Sequence, residues 1–402
     1  MTQVLEASRK MRLAIEGATE GLVDRETLVE LVVLSAIAGE HVLVIGPPGT
    51  AKSEAIRRVA HSLGGKMFEY LVGRFTEPSE LFGPVDLRKL KDGIVETATT
   101  NMLPEAEIAF LDEVFLGSTA ILNTLLGILN ERVFRRGHTV MKCPLRVCVG
   151  AANRLPEDEQ LLAFADRFMV RCFVDSVGDG GIESLLKAGW RANRAAGQVA
   201  TASDLDTLTD AAMGIDLDPV RPLIAHGVRL LRNAGILLSD RRVVRLQKLV
   251  AAAAVLSGRT FATRADLWPM VFVLPTEETQ TLGRVALAEY LSESANDTLV
   301  SAPLVSSLGP KARANKIIAD ANAAFAASPS AETGSATELQ TMQDAWKLRL
   351  EAIAREIDAT FEAKTMPEPL KAVRERLVAS IVGSPAAQSP SGKPLSVSTH
   401  SS

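Results

Sequence analysis

The sequence predicts an α/β fold: a parallel sheet flanked by helices, then an all-helical domain and a helical C-terminal extension. Three observations predict it. Short, wholly apolar runs such as HVLVIG and LRVCVGAAN alternate with segments of helical apolar spacing, the pattern of strands buried on both faces. A Gly/Pro-rich loop, GPPGTAKS (46–53), follows the first of those runs and opens a helix. From 182 to about 290, helical patterns continue with no buried-strand run among them.

The elements follow in order. Residues 5–19 and 23–38 carry apolar side chains at helical spacing. HVLVIG (41–46) is a short β-branched strand stopped by Gly-Pro-Pro-Gly, and SEAIRRVAHSLGG (53–65) is a helix with a glycine stop. MFEYLVG (67–73) reads as a strand. EIAFLDE (107–113) is a strand ending in two carboxylates. STAILNTLLGILNER (118–132) is an amphipathic helix, and LRVCVGAAN (145–153) a further buried strand. The expected organisation is a nucleotide-binding core over 1–178, a helical lid over 179–290, a helical extension over 291–382 and a disordered Ser/Pro-rich tail over 383–402.

Composition narrows the function classes. The chain has 402 residues, 47% hydrophobic and only 4% aromatic, so its cores are aliphatic. A net charge of −4 argues against a surface that grips nucleic acid as a whole. Cys143, Cys148 and Cys172 form no CxxC pair and read as buried thiols of a reducing compartment. The charged N-terminus has no signal-peptide core. The apolar runs 31–39 and 249–256 fall well short of the roughly 20 residues that span a bilayer. A cytoplasmic location is expected, without membrane association.

The chemistry begins at GPPGTAKS. In a strand–loop–helix context, successive backbone N–H groups and the helix N-terminus form a phosphate cradle. Gly46, Pro47, Pro48, Gly49, Thr50 and Ala51 supply the loop. Lys52 supplies a point charge for the β- and γ-phosphates, and Ser53 a hydroxyl ligand for Mg²⁺. Alanine is the best helix former, so Ala51 is expected to have negative φ, and Ala51→Gly to leave ATP binding unchanged.

Asp112 and Glu113 should emerge at the carboxyl edge of the sheet, where open α/β folds bind ligands. Asp112 can hold Mg²⁺ through its water shell, and Glu113 can orient and deprotonate an attacking water. Asn153 ends the strand LRVCVGAAN beside the expected γ-phosphate position. Arg167 ends the short apolar stretch LLAFADRF, where it can stabilise charge on a neighbouring subunit's nucleotide or pair with Asp166 or a nearby acid. Arg154 and Arg171 compete for that role. In LSDRRVVRLQKLV (238–250), Ser239 or Asp240 caps a helix whose first turn carries Arg241 and Arg242. Cations there oppose the helix dipole, a cost that a nucleotide phosphate would relieve.

Together GPPGTAKS, TEPSELFGP (76–84), FLDEVFLGSTAILNTLLGILNERVFRRG (110–137), GAANRLPED (150–158), ADRF (165–168) and SDRR (239–242) resemble the MoxR family of AAA+ ATPases, in its RavA-like branch. The resemblance covers about residues 20–280 and implies ATP and Mg²⁺ as cofactors. It makes Lys52 and Ser53 part of Walker A, and Asp112 and Glu113 part of Walker B. It makes Asn153 sensor 1, Arg167 the arginine finger, and Arg241 sensor 2, with Arg242 as the alternative. Leu22 and Val23 complete the nucleotide-binding set. The resemblance also implies an insertion within 85–100, a hairpin within 133–147, a hexameric ring, and a partner with a von Willebrand factor A domain. The chain departs from the RavA-like pattern beyond 290, where it reads as helical rather than β-containing.

Two other classes fit part of this pattern. A nucleotide-gated assembly scaffold has no use for a water-activating carboxylate. A nucleic-acid motor needs basic pore loops; RKLK (88–91) and FRRGH (134–138) are basic, but no aromatic-basic interleaving accompanies them.

Overall fold

The structure is a computed structural model that describes residues 2–191, 197–308, 310–329, 336–361 and 366–382. The expected disordered tail, 383–402, lies outside the described residues. The chain divides into two compact units, Met1–Val177 with Gly181–Gly309, and Gly178–Gly180 with Pro310–Ser402.

The first unit is built on five parallel strands: β1 Val42–Ile45, β2 Met67–Leu71, β3 Ile108–Asp112, β6 Val147–Ala152 and β7 Val170–Phe173. They lie in the order β2-β3-β6-β1-β7. The period-2 alternation of strand side chains sorts them between two cores. Val42, Val44, Phe110, Val149 and Cys172 enter one; Leu43, Ile45, Ala109, Leu111 and Cys148 enter the other.

The first core is closed by helices α1 Thr2–Thr19, α2 Glu26–Ala38 and α3 Lys52–Leu63. Every residue of α2 from Leu28 to Ala38 is buried, as a helix apolar around its whole circumference requires. Short helices α4 Pro78–Phe82 and α5 Leu87–Lys91 follow β2. The second core is covered by α6 Thr119–Glu131, α7 Glu159–Ala165 and an antiparallel hairpin of β4 Val133–Arg136 with β5 Thr139–Lys142. That hairpin falls where the 133–147 hairpin was expected. It docks on the 85–100 segment, His138 N–H donating to the Val95 carbonyl at 2.9 Å.

Helices α8 Ile182–Arg191, α9 Ala202–Met213, α10 Arg221–Asn233, α11 Asp240–Leu256, α12 Pro269–Phe272, α13 Glu277–Ala286, α14 Ala288–Leu291 and α15 Ser301–Leu308 complete the first unit. Residues Leu249 to Leu256 of α11 are all buried, so this apolar run is core. Glu30 of α2 accepts the backbone N–H groups of Val300, Ser301 and Ala302 at 2.9, 2.9 and 2.6 Å, capping α15.

The second unit packs α16 Pro310–Ala326, α17 Ala336–Thr360 and α18 Glu368–Val382 around Ile317, Leu350, Ile353, Ile357, Leu370 and Leu377. Trp346 Nε1 donates to the Ala324 carbonyl at 2.7 Å within it. Among the described residues no helix is long and apolar enough to cross a membrane.

Candidate nucleotide site

The parallel register places the loop, the two carboxylates and Asn153 at one edge. Ile45 pairs with Ala152, and Leu111 with Gly150. Gly46, Asp112 and Asn153 therefore all leave the carboxyl ends of adjacent strands, which lie about 4.8 Å apart. Gly46 N–H donates to the Ala152 carbonyl at 3.1 Å, tying the loop's first residue beside Asn153. Only glycine fits at position 46, because a Cβ there would meet the Val174 carbonyl oxygen at 2.0 Å.

The loop then turns through two left-handed residues, Gly49 at φ +80° and Ala51 at φ +57°. This corrects the expectation of a negative φ at Ala51. Helix propensity applies to positions inside the helix, and Ala51 is the residue before it, with φ 57° and ψ 26°. The loop must reverse there to present its N–H groups. A Cβ in that conformation costs about 1–2 kcal/mol.

Lys52 is 7% exposed and donates from Nζ to the carbonyls of Gly46 and Pro47 at 2.7 and 2.8 Å. Those oxygens occupy the lysine in the way phosphate oxygens would, so the cradle fits an anionic ligand. Burial lowers the Lys52 pKa, opposed by the charges of Asp112 and Glu113 and reinforced by that of Arg25. Lysine and both carboxylates thus share one electrostatic field. Ser53 opens α3 beside them. Ser53 and Asp112 could hold a divalent ion together with nucleotide oxygens, the hard oxygen donors that Mg²⁺ prefers.

Glu113 has φ +50°, a strained position for a side chain with a Cβ. Asn153 Nδ2 donates to its Oε1 at 2.5 Å. Burial, then the neighbouring Asp112 charge, pushes the Glu113 carboxyl above its ordinary value, while Lys52 opposes. A raised carboxylate pKa at the mouth of a cleft suits a general base. Beside it lies an open cavity of about 520 Å³ lined in part by Gly73, Phe75, Glu80 and Leu116.

One buried residue at the loop has no counterpart among the sequence expectations. Arg25, 3% exposed, donates to the carbonyls of Thr50 at 2.6 Å, Asp24 at 2.6 Å and Asp175 at 2.8 Å. It clamps the loop one residue before the strained turn. Its signal in the sequence was slight: one arginine directly before an apolar helix. Leu22 and Val23 stand on the same approach to α2, Leu22 packing against the first core and Val23 near Gly181.

The remaining arginines lie elsewhere. Arg167 lines a cleft of about 410 Å³ between α6 and α7, with Phe115, Asn123 and Asp158 among its walls. Its Nε is buried without a hydrogen-bond partner among the described residues. The alternative, pairing of Arg167 with Asp166 or a nearby acid, is not seen among the described residues; Asp166 accepts from Arg242 Nε at 2.6 Å. Arg171 is buried inside the sheet and is not a finger candidate. Arg154 is exposed beside Asn153.

Arg241 and Arg242 require correction as groups that reach the nucleotide of their own subunit. Arg242 donates to the carbonyls of Phe168 and Met169, just before β7 begins at Val170, and Val170 pairs with Val42 at the start of β1. It therefore stands at the amino edge, while the loop leaves the carboxyl edge, four residues or roughly 13 Å away. Arg241 Nη2 donates to Asn130 Oδ1 at the C-terminal end of α6, next to Arg132, which contacts His41 and Gly39 at that amino edge. The dipole cost expected to be relieved by a phosphate is offset at Arg242 by Asp166 and backbone carbonyls. Ser239 is the residue that caps α11, accepting from the Arg242 N–H.

Comparisons with known proteins show the family and the fold. Residues 9–211 match the MoxR domain described for MoxR-vWA-beta-propeller ternary systems, and residues 224–283 match an AAA lid domain. An uncharacterised protein of Methanocaldococcus jannaschii is 37% identical over 246 residues, 61% of this chain and 65% of that protein. A second from the same organism is 35% identical over 270 residues, 66% of this chain and 70% of that protein. The chain thus spans just under two thirds of the first relative's length. A crystal structure of a presumed ATPase from Cytophaga hutchinsonii superposes with a TM-score of 0.59 at 18% identity, covering 73% of this chain and 97% of that one. At that identity the likeness is one of fold.

Proposed function

This chain belongs to the MoxR family of AAA+ ATPases, and from that membership we propose that it hydrolyses Mg²⁺-bound ATP between the subunits of a ring and uses the cycle to remodel a protein partner. The observation that carries the proposal is the convergence of Gly46–Ser53, Asp112, Glu113 and Asn153 on one carboxyl edge. Gly46 to Ala51 cradle the phosphates, with Leu22 and Val23 on the base side. Lys52 holds the β- and γ-phosphates, and Ser53 and Asp112 hold Mg²⁺, which supplies charge neutralisation at the phosphates. Glu113 takes the proton of the attacking water that Asn153 orients.

A single protomer supports only part of that chemistry. Arg167 and Arg241 both border the outward side of α6, through Asn123 and Asn130 respectively. That shared placement favours delivery of both to a neighbouring subunit's nucleotide. A hexamer is the expected ring. In this reading residues 1–178 form the core, 179–290 the lid and 291–382 a helical extension, within a cytoplasmic protein of the RavA-like branch. The description of the matched domain favours a partner with a von Willebrand factor A domain.

Glu113→Gln tests the reading. It keeps the shape and removes the base, so ATP binding should persist while turnover falls about a hundredfold or more. Turnover at the parent rate in the assembled variant would overturn the assignment.

A further inference from the structure

Arg242 joins the lid to the segment that carries Arg167. Arg242 is 3% exposed and its guanidinium makes four hydrogen bonds with two separate stretches of chain, 166–169 and Val273. Nε binds Asp166 Oδ1 at 2.6 Å, Nη2 the Phe168 carbonyl at 3.2 Å, and Nη1 the carbonyls of Met169 at 3.0 Å and Val273 at 2.6 Å. Asp166 and Phe168 flank Arg167 in sequence, and Val273 directly follows α12. The planar guanidinium fork fixes direction as well as distance, which a lysine ammonium does not.

The same segment is gripped a second time. Arg171 Nη2 donates to the Ala165 carbonyl at 2.6 Å, and Gln280 of α13 donates to the Arg171 carbonyl at 3.1 Å. Among the described residues Arg171 has no hydrogen-bond partner for Nε or Nη1, and its burial, then the nearby Arg242 charge, pushes its pKa down to about 9. Asp166 is the carboxylate facing both cations.

We propose that Arg242 is a positioning residue: it locks Arg167 to the lid, so that lid orientation in one subunit sets how well Arg167 serves the nucleotide of the next. The inference rests on the reading of Arg167 as acting in trans. A misplacement of about 1 Å at a catalytic group can cost a hundredfold in rate, so a loosened rivet lowers kcat. It leaves the loop of its own subunit, at the opposite edge of the sheet, intact.

Arg242→Lys and Asp166→Asn test this, with Arg167→Ala as the reference. Asp166→Asn is the gentler change, since it leaves the three carbonyl bonds of Arg242 in place. Both variants should bind ATP with the parent's affinity, melt as a folded protein and lose between about tenfold and a hundredfold in kcat. Each is then mixed in equal amounts with Glu113→Gln, whose Arg167 is intact and whose own site is dead. Turnover should return to about a quarter of the parent's, the share of interfaces where random mixing sets an intact loop against an intact finger. If Arg167→Ala mixtures recover and Arg242→Lys and Asp166→Asn mixtures do not, the rivet is refuted while the trans reading stands. If Arg167→Ala mixtures fail too, the trans reading falls and takes the rivet with it. Unchanged kcat, or a loss that merely tracks the unfolded fraction, also overturns the proposal.

Discussion

Asn153 and Glu113 are joined side chain to side chain, the Asn153 amide donating to Glu113 Oε1 at 2.5 Å across the neighbouring ends of β3 and β6. The bond holds the carboxylate at the edge of the loop in a left-handed backbone position. It makes the protonation of Glu113 a measurable quantity. Its carboxyl lies above the ordinary value, chiefly through burial, and a base acts only when deprotonated. The acid limb of the pH–rate profile should therefore fall above that of an unperturbed glutamate. Asn153→Asp places a like charge against Glu113 and should move the limb to still higher pH. A limb that stays put in that variant would remove Glu113 from the rate-determining proton transfer.

Arg25 ties Thr50, Asp24 and Asp175 to one buried guanidinium. Arg25→Ala leaves carbonyls without donors, at about 1–3 kcal/mol for hydrogen bonds to a charged group. ATP affinity should weaken about tenfold or more, by RT ln K, with a smaller loss in kcat. Arg25→Lys should recover stability in part but not affinity, because one ammonium cannot serve three carbonyls in different directions. Titration of ATP binding in both variants, with thermal melts alongside, checks this.

Ala51→Gly should tighten the loop rather than leave it unchanged. It removes a left-handed alanine, worth about 1–2 kcal/mol, and returns about 0.5–1 kcal/mol through the freer unfolded chain. A small net gain in stability follows, with ATP affinity equal to or better than the parent's. Ala51→Val should weaken both, since a β-branched side chain tolerates that backbone poorly. Weaker ATP binding in Ala51→Gly would show that the strain serves the loop.

Much of the fold was legible because its signals are local. Four or five apolar residues stopped by glycine or by paired carboxylates fix β1 and β3, and the loop between β1 and α3 follows from their order. That Asp112, Glu113 and Asn153 lie together at one edge was legible because strand ends are readable and parallel strands end on one edge. What sequence could not show depends on pairs far apart. Arg25 reaches Thr50 across 25 residues, and Arg242 reaches Asp166 across 76. Arg241 and Arg242, adjacent in α11, look alike in sequence, yet Arg242 is sealed between lid and core and Arg241 meets Asn130 of α6. The Ala51 error has the opposite origin: a local rule was applied one residue outside the helix it describes.

The central claim, that each active site is shared between two subunits, is tested most directly by mixing two inactive proteins. Glu113→Gln lacks the base and Arg167→Ala lacks the finger, so neither should hydrolyse ATP alone at more than about a hundredth of the parent rate. Mixed in equal amounts, they should regain about a quarter of parental turnover, because such interfaces pair an intact base with an intact finger. Mixtures that co-assemble and remain as inactive as their components would contradict a shared site.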